Sequence, residues 1–209
     1  PPEKRERALV AIERSAQLQA QLTSDLLDVS GVITGKLRLR LEPTFVASVV
    51  DDVMESLGPA SESKGVVCRH DVRVSEALLL DGSRVQQILA NLVGNAIKFT
   101  PRGGSVDVDV GLEDEELVLR VRDSGVGIAP KFLPHVFERF RQADSGAARP
   151  FGGLGLGLSI VKELTERHGG QVTAHSAGAG TGATFTVRIP ARVAGGRRAG
   201  AARRAGGDA

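Results

Sequence analysis

Residues 84–101 read RVQQILANLVGNAIKFTP, and this stretch predicts the helix on which the fold is built. At 100° per residue, its apolar side chains fall on one face and its polar side chains on the other. Asp81 is a suitable N-cap for the helix, and Pro101 ends it. The apolar face comprises Val85, Leu89, Leu92, Val93 and Ala96, and the polar stripe comprises Arg84, Gln87, Asn91, Asn95 and Lys98.

Two asparagines in the polar stripe point to chemistry, because Asn costs roughly half a kcal/mol or more relative to Ala in a helix interior. A face that only meets solvent favours Glu, Lys and Ala instead. Asn91 and Asn95 stand one turn apart, and Lys98 follows them. An amide oxygen is a hard, neutral ligand suited to Mg²⁺, and a lysine beside it can hold phosphate. Taken alone, however, the stripe fits a solvated surface better than a binding site.

The flanking stretches predict the other elements from their periodicity. Leu18, Leu22, Leu26, Val29 and Ile33 form one narrow stripe, which predicts a long, coiled-coil-like helix over residues 3–33. The order of the remaining elements predicts an α+β fold, a two-layer α/β sandwich with helices on one face of a mixed sheet. Strands are expected at 36–42, 66–72, 105–112, 116–123, 171–176 and 183–189, with further helices at 44–63 and 156–168.

Charge and composition exclude several classes of protein. The formal charge is +2, but residues 191–209 hold five Arg and one Asp, which leaves 22 basic and 24 acidic residues elsewhere. The body of the protein therefore carries no nucleic-acid footprint. The single cysteine, Cys68, excludes an internal disulfide and fits a reducing compartment. No apolar run has the length of a membrane span, so we expect a cytoplasmic protein. The chain begins with Pro1 rather than Met, which suggests a fragment.

A carboxylate ends the strand expected at 116–123. Asp123 shares the strand face of Leu117, Leu119 and Val121, and the sequence Asp123–Ile128 reads DSGVGI. A carboxylate on an apolar face needs hydrogen-bond donors, because unpaired burial is costly. Glycines two and four residues later allow close approach of the backbone to a ligand. A simple turn closing a hairpin would also explain the triplet Asp-x-Gly.

A glycine run leads into the helix expected at 156–168. Residues 151–161 read FGGLGLGLSIV, with four glycines in front of an apolar helix. Free backbone N–H groups at a positive helix end can cradle phosphate. The run is neither a Walker loop, which needs Gly-Lys-Ser/Thr, nor a dinucleotide fingerprint, because no strand leads into it.

Together these stretches resemble the catalytic and ATP-binding domain of sensor histidine kinases. RVQQILANLVGNAIKFTP is similar to the family's N box, DSGVGI to its G1 box, FERF at Phe137–Phe140 to its F box, GGLGLGLSIV at Gly152–Val161 to its G2 box and GTGATF at Gly180–Phe185 to its last glycine box. The five boxes occur in the family's order. DLLDVS at Asp25–Ser30 resembles the second helix of the family's dimerisation and phosphotransfer hairpin.

The resemblance implies a phosphate end to the site. Asn95 would coordinate Mg²⁺, Asn91 would lie on the phosphate side, and Lys98 would contact phosphate. Arg139 of the F box would also reach phosphate, so that Asn91, Lys98 and Arg139 are the expected catalytic residues. Backbone donors are expected from the glycine run, namely from Gly153, Leu154, Gly155, Leu156, Gly157 and Leu158. Leu154 stands where many members of the family carry Thr.

The resemblance also implies an adenine end. Asp123 would accept a hydrogen bond from the adenine amino group. Gly125, Gly127 and Ile128 would give the base room, and Thr184 would lie near the pocket.

The implied activity is that of the ATP-binding module of a two-component sensor histidine kinase. It would use ATP and Mg²⁺ and donate the γ-phosphoryl group to a histidine on the hairpin, for onward transfer to the receiver domain of a response regulator. Residues 1–34 would be the second hairpin helix, through which the intact protein forms a homodimer. Residues 35–190 would be the catalytic domain, and 191–209 a flexible tail.

The accepting histidine is expected to lie outside this chain. His70, followed by Asp71, imitates the family's His box, but it falls in an expected strand and lacks the following proline. We therefore interpret His70 as structural. Two alternatives stay open: another ATPase or a serine kinase of the same superfamily, and a non-catalytic dimerisation or scaffolding fragment.

Overall fold

The structure is a computed structural model that describes residue 19, residues 38–141 and residues 155–195. Residues 38–141 and 155–195 contain three α-helices and seven strands, together with a short 3-10 helix at Leu133–His135. In chain order the elements are β1 (Glu42–Phe45), α1 (Val46–Lys64), β2 (Val67–Val72), β3 (Ala77–Leu80), α2 (Gly82–Phe99), β4 (Ser105–Glu113), β5 (Glu116–Asp123), α3 (Gly157–Arg167), β6 (Gln171–His175) and β7 (Ala183–Pro190).

A five-stranded sheet forms one layer, in the order β2-β4-β5-β7-β6. Strand β2 runs parallel to β4 and the other neighbours are antiparallel, so the sheet is mixed, as predicted. The sheet face that the helices cover is apolar and buried. The opposite face is polar, and there Glu113 accepts from Arg120 at 2.9 Å and from Arg188 at 3.0 Å. The buried face includes Val106, Val108, Val110, Leu117, Leu119 and Val121, all six of which the alternation predicted.

Helix α2 is the central element of the helical layer. It contacts β4 and β5 beneath it and lies between α1 and α3. All five predicted apolar positions are buried, and the polar stripe stays on the side away from the sheet. The α+β sandwich is thus confirmed, and the phase of α2 on the sheet decides where its asparagines point.

The two-stranded ribbon β1–β3 differs from the prediction. The sequence predicted a strand at 36–42, but β1 starts at Glu42 and pairs antiparallel with β3, with Glu42 opposite Leu80 and Phe45 opposite Ala77. Leu41 is 60% exposed, so the alternation that suggested the earlier strand packs against nothing at this position. Strand β3 was not predicted, because a four-residue apolar run has no period to recognise.

Residues beyond β7 belong to the folded domain. Leu79 N–H donates to Arg192 O at 2.8 Å and Ala194 N–H donates to Ala77 O at 2.7 Å, so residues 192–194 add a third strand-like segment beside β3. These contacts lie just beyond position 190, where the domain is expected to end. Residues 196–209 and nearly all of the helix expected at 3–33 lie outside the described residues; Gln19, within that stretch, is helical. None of the described helices is both long and apolar enough to cross a membrane.

Asp81 lies between β3 and α2 and is the N-cap of α2, as predicted. Its carboxylate accepts from Arg40 N–H (2.9 Å), the Ser83 hydroxyl (2.7 Å) and Arg84 N–H (3.2 Å). Burial alone would raise the pKa of Asp81, but these three hydrogen bonds outweigh it and hold the pKa below its ordinary 3.8. The ionised side chain therefore stabilises the fold above the ordinary pKa, and this contribution is lost as the pH falls through the lowered value.

Asp81→Ala should lower the free energy of unfolding by about 1–2 kcal/mol at neutral pH, the usual cost of a lost N-cap. Asp81→Asn is the matched control, because Asn caps helices about as well as Asp. Urea unfolding followed by circular dichroism measures both. Equal stability of Asp81→Ala and the parent protein would show that the cap contributes nothing.

Candidate functional site

Asp123 is a buried carboxylate at the end of β5, on the apolar face as predicted. It is 8% exposed, and its Oδ1 accepts from Gly125 N–H at 2.8 Å and from Ala183 N–H at 3.2 Å. No donor among the described residues reaches Oδ2. Burial raises the pKa of Asp123, and the two N–H donors offset part of that rise. Oδ2 is therefore an acceptor available to a ligand.

The turn after Asp123 is fixed by two distant segments. Val126 N–H donates to Phe99 O, the last residue of α2, at 3.2 Å. Ile128 N–H donates to the hydroxyl of Ser176, just beyond β6, at 2.9 Å. The same hydroxyl donates to Gly182 O at 2.7 Å. The turn thus holds its shape through contacts to α2 on one side and to the β6–β7 connection on the other.

Gly125 and Gly127 are required by close backbone approach. A Cβ on Gly125 would lie 2.6 Å from Phe99 O, and one on Gly127 would lie 2.0 Å from Gly178 O. Gly127 also has a φ of +70°, which side chains rarely adopt. Both glycines are therefore required by the packing of the turn, and Val126 between them is exposed.

A second cluster forms where α3 begins. A Cβ on Gly157 would lie 2.7 Å from Asn91 Oδ1 and 3.7 Å from Asn95 Nδ2, so the first residue of α3 lies directly against both asparagines of α2. Asn91 Nδ2 donates to Gln87 O at 3.0 Å, which directs its oxygen towards Gly157. Helix α3 has neither a side-chain cap nor an acidic residue in its first turn. The positive end of α3 thus meets two neutral amides.

Lys98 lies one turn beyond Asn95. Its ammonium group is 5.0 Å from the centroid of the Phe99 ring. Burial lowers the pKa of Lys98, and the positive charge of Lys64 lowers it further. The side chain therefore supplies a partly buried cation on the same stripe as the asparagines.

The two clusters lie at opposite ends of one helix segment. Asn91, against α3, and Phe99, beneath the Gly125 turn, are eight residues apart, which corresponds to about 12 Å at 1.5 Å per residue. The segment between them carries Asn95 and Lys98 on its polar side. An elongated ligand with a hydrogen-bonding ring at one end and negative charge at the other matches this arrangement.

The structure places one of the expected site residues away from these clusters and pairs another with an acid of α3. Thr184 pairs with Arg122 in the sheet, whereas Asp123 pairs with Ala183, so Thr184 lies on the opposite face from Asp123. The resemblance to the histidine kinase family suggested Thr184, but alternation along β7 turns its side chain away. Arg139 forms an ion pair with Glu163 on α3, with 3.6 Å between Nη2 and Oε2.

The leucines of the glycine run serve the core rather than the site. Leu156 is buried, and Leu158 packs against the core, so only their backbone groups can face a ligand. Phe140 N–H donates to Gly155 O at 3.0 Å, which joins the end of the FERF stretch to the glycine run. Gly153 and Leu154 lie outside the described residues.

Two residues that hold Asp123 and its turn were not found from the sequence. Ala183 contributes only a backbone donor, which no residue pattern reveals. Ser176 bonds to a partner 48 residues earlier in the chain, and no local motif marks it. The glycines that follow Ser176 were the one available sign of these contacts, because they indicate a close approach of backbone segments at that end of the sheet.

Comparison with known proteins assigns the chain to a family. The family described as histidine kinase-, DNA gyrase B-, and HSP90-like ATPase matches residues 80–193. The chain is similar to the circadian input-output histidine kinase CikA of Synechococcus elongatus, with 32% identity over 90% of this chain and 25% of that protein. It is also similar to the signal transduction histidine-protein kinase BarA of Escherichia coli K12, with 36% identity over 87% of this chain and 20% of that protein.

Among solved structures, full-length ShkA in complex with AMPPNP superimposes with a TM-score of 0.77, at 31% identity over 88% of this chain and 38% of that one. The chain thus spans a quarter or less of the two curated relatives. The family match covers more than half of the chain and includes both clusters. The chain therefore belongs to the histidine kinase-, DNA gyrase B- and HSP90-like ATPase family, and the matched residues form an ATP-binding catalytic domain of the histidine kinase type.

Proposed function

We propose that this domain binds ATP with Mg²⁺ along the polar face of α2 and presents the γ-phosphoryl group to a histidine on a helical hairpin of a sensor kinase. One observation carries the proposal: α2 ends beneath the Asp123–Gly125 turn, and its side chains Asn95, one turn earlier, and Asn91, two turns earlier, lie against the start of α3. The names of the relatives, which are histidine kinases, support the same reaction.

The adenine end would rest on Asp123. Its Oδ2 is available, and a buried carboxylate acceptor selects a ligand that donates a hydrogen bond, as the exocyclic amine of adenine does. The carbonyl that guanine carries at this position would face the carboxylate as a second acceptor. Gly125 and Gly127 themselves bring no side chain into the space beside the base.

The phosphate end would lie between Asn95, Lys98 and the first turn of α3. Backbone N–H groups at the start of α3 and the Lys98 ammonium suit phosphate oxygens. The donor set fits Mg²⁺ as well, since the Asn95 amide oxygen is a neutral oxygen ligand and Mg²⁺ takes its remaining ligands from phosphate and water. When bound, the ion supplies charge neutralisation for the transferred group.

The contribution of the protein to the reaction would be positioning and electrostatics. Asp123 fixes the base, Asn91 and Lys98 orient the phosphates, and the α3 terminus stabilises their negative charge. Breaking the bond between the γ-phosphorus and its bridging oxygen leaves ADP, and the phosphoryl group passes to a histidine nitrogen. That histidine and its acidic neighbour are proposed to lie in the hairpin to which residues 1–34 contribute.

The partners of the intact protein are proposed on the same basis. The curated relatives are several times longer than this chain, and their names describe signal transduction. We propose a homodimer formed through the hairpin and a receiver domain as the final acceptor of the phosphoryl group. No contact in the described domain favours a scaffolding fragment or a serine kinase instead.

Asp123→Asn should weaken ATP binding by about 1–3 kcal/mol, because one acceptor at the amine becomes a group of mixed polarity. Asp109→Asn is the matched control, since it makes the same charge change on the opposite face of β4. Calorimetric titration with ATP and with GTP measures affinity and base preference. Unchanged affinity and unchanged preference for ATP in Asp123→Asn would contradict the adenine assignment.

Asn95→Ala should leave the melting temperature without nucleotide unchanged or slightly higher, because Ala is the better helix former. It should abolish most of the thermal shift that Mg-ATP gives, and change the shift in metal-free buffer less. Gly94→Ala is the control on the same helix, because a Cβ there meets nothing within 4 Å. A full Mg-ATP shift in Asn95→Ala would show that the stripe is only a solvated face.

Gly157→Ala should weaken binding of ATP and leave binding of adenosine unchanged. The new Cβ would displace the Asn91 side chain, which lies 2.7 Å away, without touching the Asp123 pocket. We expect a loss of about fivefold or more, or roughly 1 kcal/mol. Gly58→Ala, at an open position of α1, is the control. Equal losses for ATP and adenosine would place Gly157 outside the phosphate end.

A further inference from the structure

The C-terminus of helix α2 has carbonyl groups that cannot be satisfied by hydrogen bonds within the helix. Pro101 follows the helix and has no N–H, so the Ile97 carbonyl, four residues earlier, cannot receive its usual backbone hydrogen bond. The donor comes instead from α1. Lys64 Nζ donates to Ile97 O at 2.7 Å and also to Lys98 O.

The same end of α1 holds the other side of the exit loop. Gly103 N–H donates to Gly65 O at 2.8 Å, and Val67 N–H donates to Gly104 O at 3.0 Å. Residues 64–67 therefore form hydrogen bonds with the backbone both before and after Pro101. The last turn of α2 cannot shift without breaking these contacts.

This last turn positions both ends of the proposed site. Phe99 O, one residue beyond the second capped carbonyl, accepts from Val126 N–H at 3.2 Å and sets the distance to Gly125. The Lys98 side chain leaves the helix from the same turn. A displacement of the turn would thus move the adenine pocket and the phosphate cation together.

Electrostatics favour a lysine at this place. A cation at a helix C-terminus interacts favourably with the partial negative charge of the last carbonyls. Because the ammonium of Lys64 is already directed at two carbonyls, it neutralises that end of α2 while adding positive charge beside Lys98. The phosphates that Lys98 is proposed to hold would otherwise face the negative end of the helix.

We propose that Lys64 is a positioning residue of the nucleotide site, which acts by capping the C-terminus of α2 and so fixing Lys98 and the Phe99 carbonyl. This inference rests on the proposed function for its effect on ATP. Its effect on the Val126 hydrogen bond is independent of any ligand.

The first test compares Lys64→Met, which keeps an unbranched stem without donors, with Lys64→Arg and with Lys162→Met. Lys162 is an exposed lysine on α3, half of whose side chain is accessible, and it serves as the matched loss of charge. The calorimetric titrations with ATP are done at a temperature at which each variant is fully folded. We expect ATP affinity roughly tenfold lower in Lys64→Met, a factor that corresponds to about 1.4 kcal/mol, mostly recovered in Lys64→Arg and unchanged in Lys162→Met.

The second test measures amide hydrogen exchange without nucleotide. Exchange of the Val126 amide should accelerate in Lys64→Met, whereas the Ile160 amide, bonded to Leu156 O within α3, should keep its parental rate. If Lys64→Met does not fold, Lys64→Ala, which also lacks a side-chain donor, takes its place in both tests. Parental ATP affinity together with a parental Val126 exchange rate, in a variant of lowered melting temperature, would overturn the proposal by reducing Lys64 to a stability role.

The two measurements separate the two hypotheses. If the parent protein itself fails to bind ATP, the proposed function is wrong, and the Val126 exchange rate alone decides the role of Lys64. If the parent binds ATP and Lys64→Met changes neither affinity nor exchange, the proposed function stands and the role of Lys64 is wrong.

Discussion

The packing of α2 on β4 and β5 is the contact on which the rest of the structure depends. Seven side chains of α2 are buried, and each aliphatic one contributes about 1.5–3 kcal/mol when removed from water. This contact fixes the rotation of α2 about its own axis. Because residues one turn apart share a face, the same rotation directs Asn91, Asn95 and Lys98 away from the sheet. The burial that stabilises the core therefore also orients the polar side chains of the candidate site.

The site itself is made largely from backbone groups. Around Asp123 the donors are the N–H groups of Gly125 and Ala183, and the turn rests on a carbonyl of α2. Side chains add one carboxylate at the end of β5, and two amides and one ammonium along α2. Such a site is specified by how closely segments approach, and for this reason a single added methyl at Gly125 or Gly127 would disturb it more than many changes on the surface.

The sequence predicted those features that depend on one stretch of chain. The phase of α2, the alternation of β4 and β5 and the burial of Asp123 all follow from local periodicity, and the ordered boxes identified the kind of site. Features that depend on contacts between residues far apart in the sequence were not predicted. Strand β3 exists because β1 and residues 192–194 pair with it, and Ser176 matters because Ile128 reaches it. Thr184 was misplaced because a shift of one residue along a strand reverses the face.

The ribbon around β3 has a mechanical consequence. Strand β1 and residues 192–194 lie on opposite edges of β3, and both run antiparallel to it, so they run parallel to each other. The chain enters at Glu42, opposite Leu80, and leaves at Ala194, beside Ala77. Tension between the preceding and following segments would pull these two edges in opposite directions along β3. The hydrogen bonds of the ribbon would then be loaded together, in shear, so that the domain resists a pull on its two ends better than if they peeled apart one bond at a time.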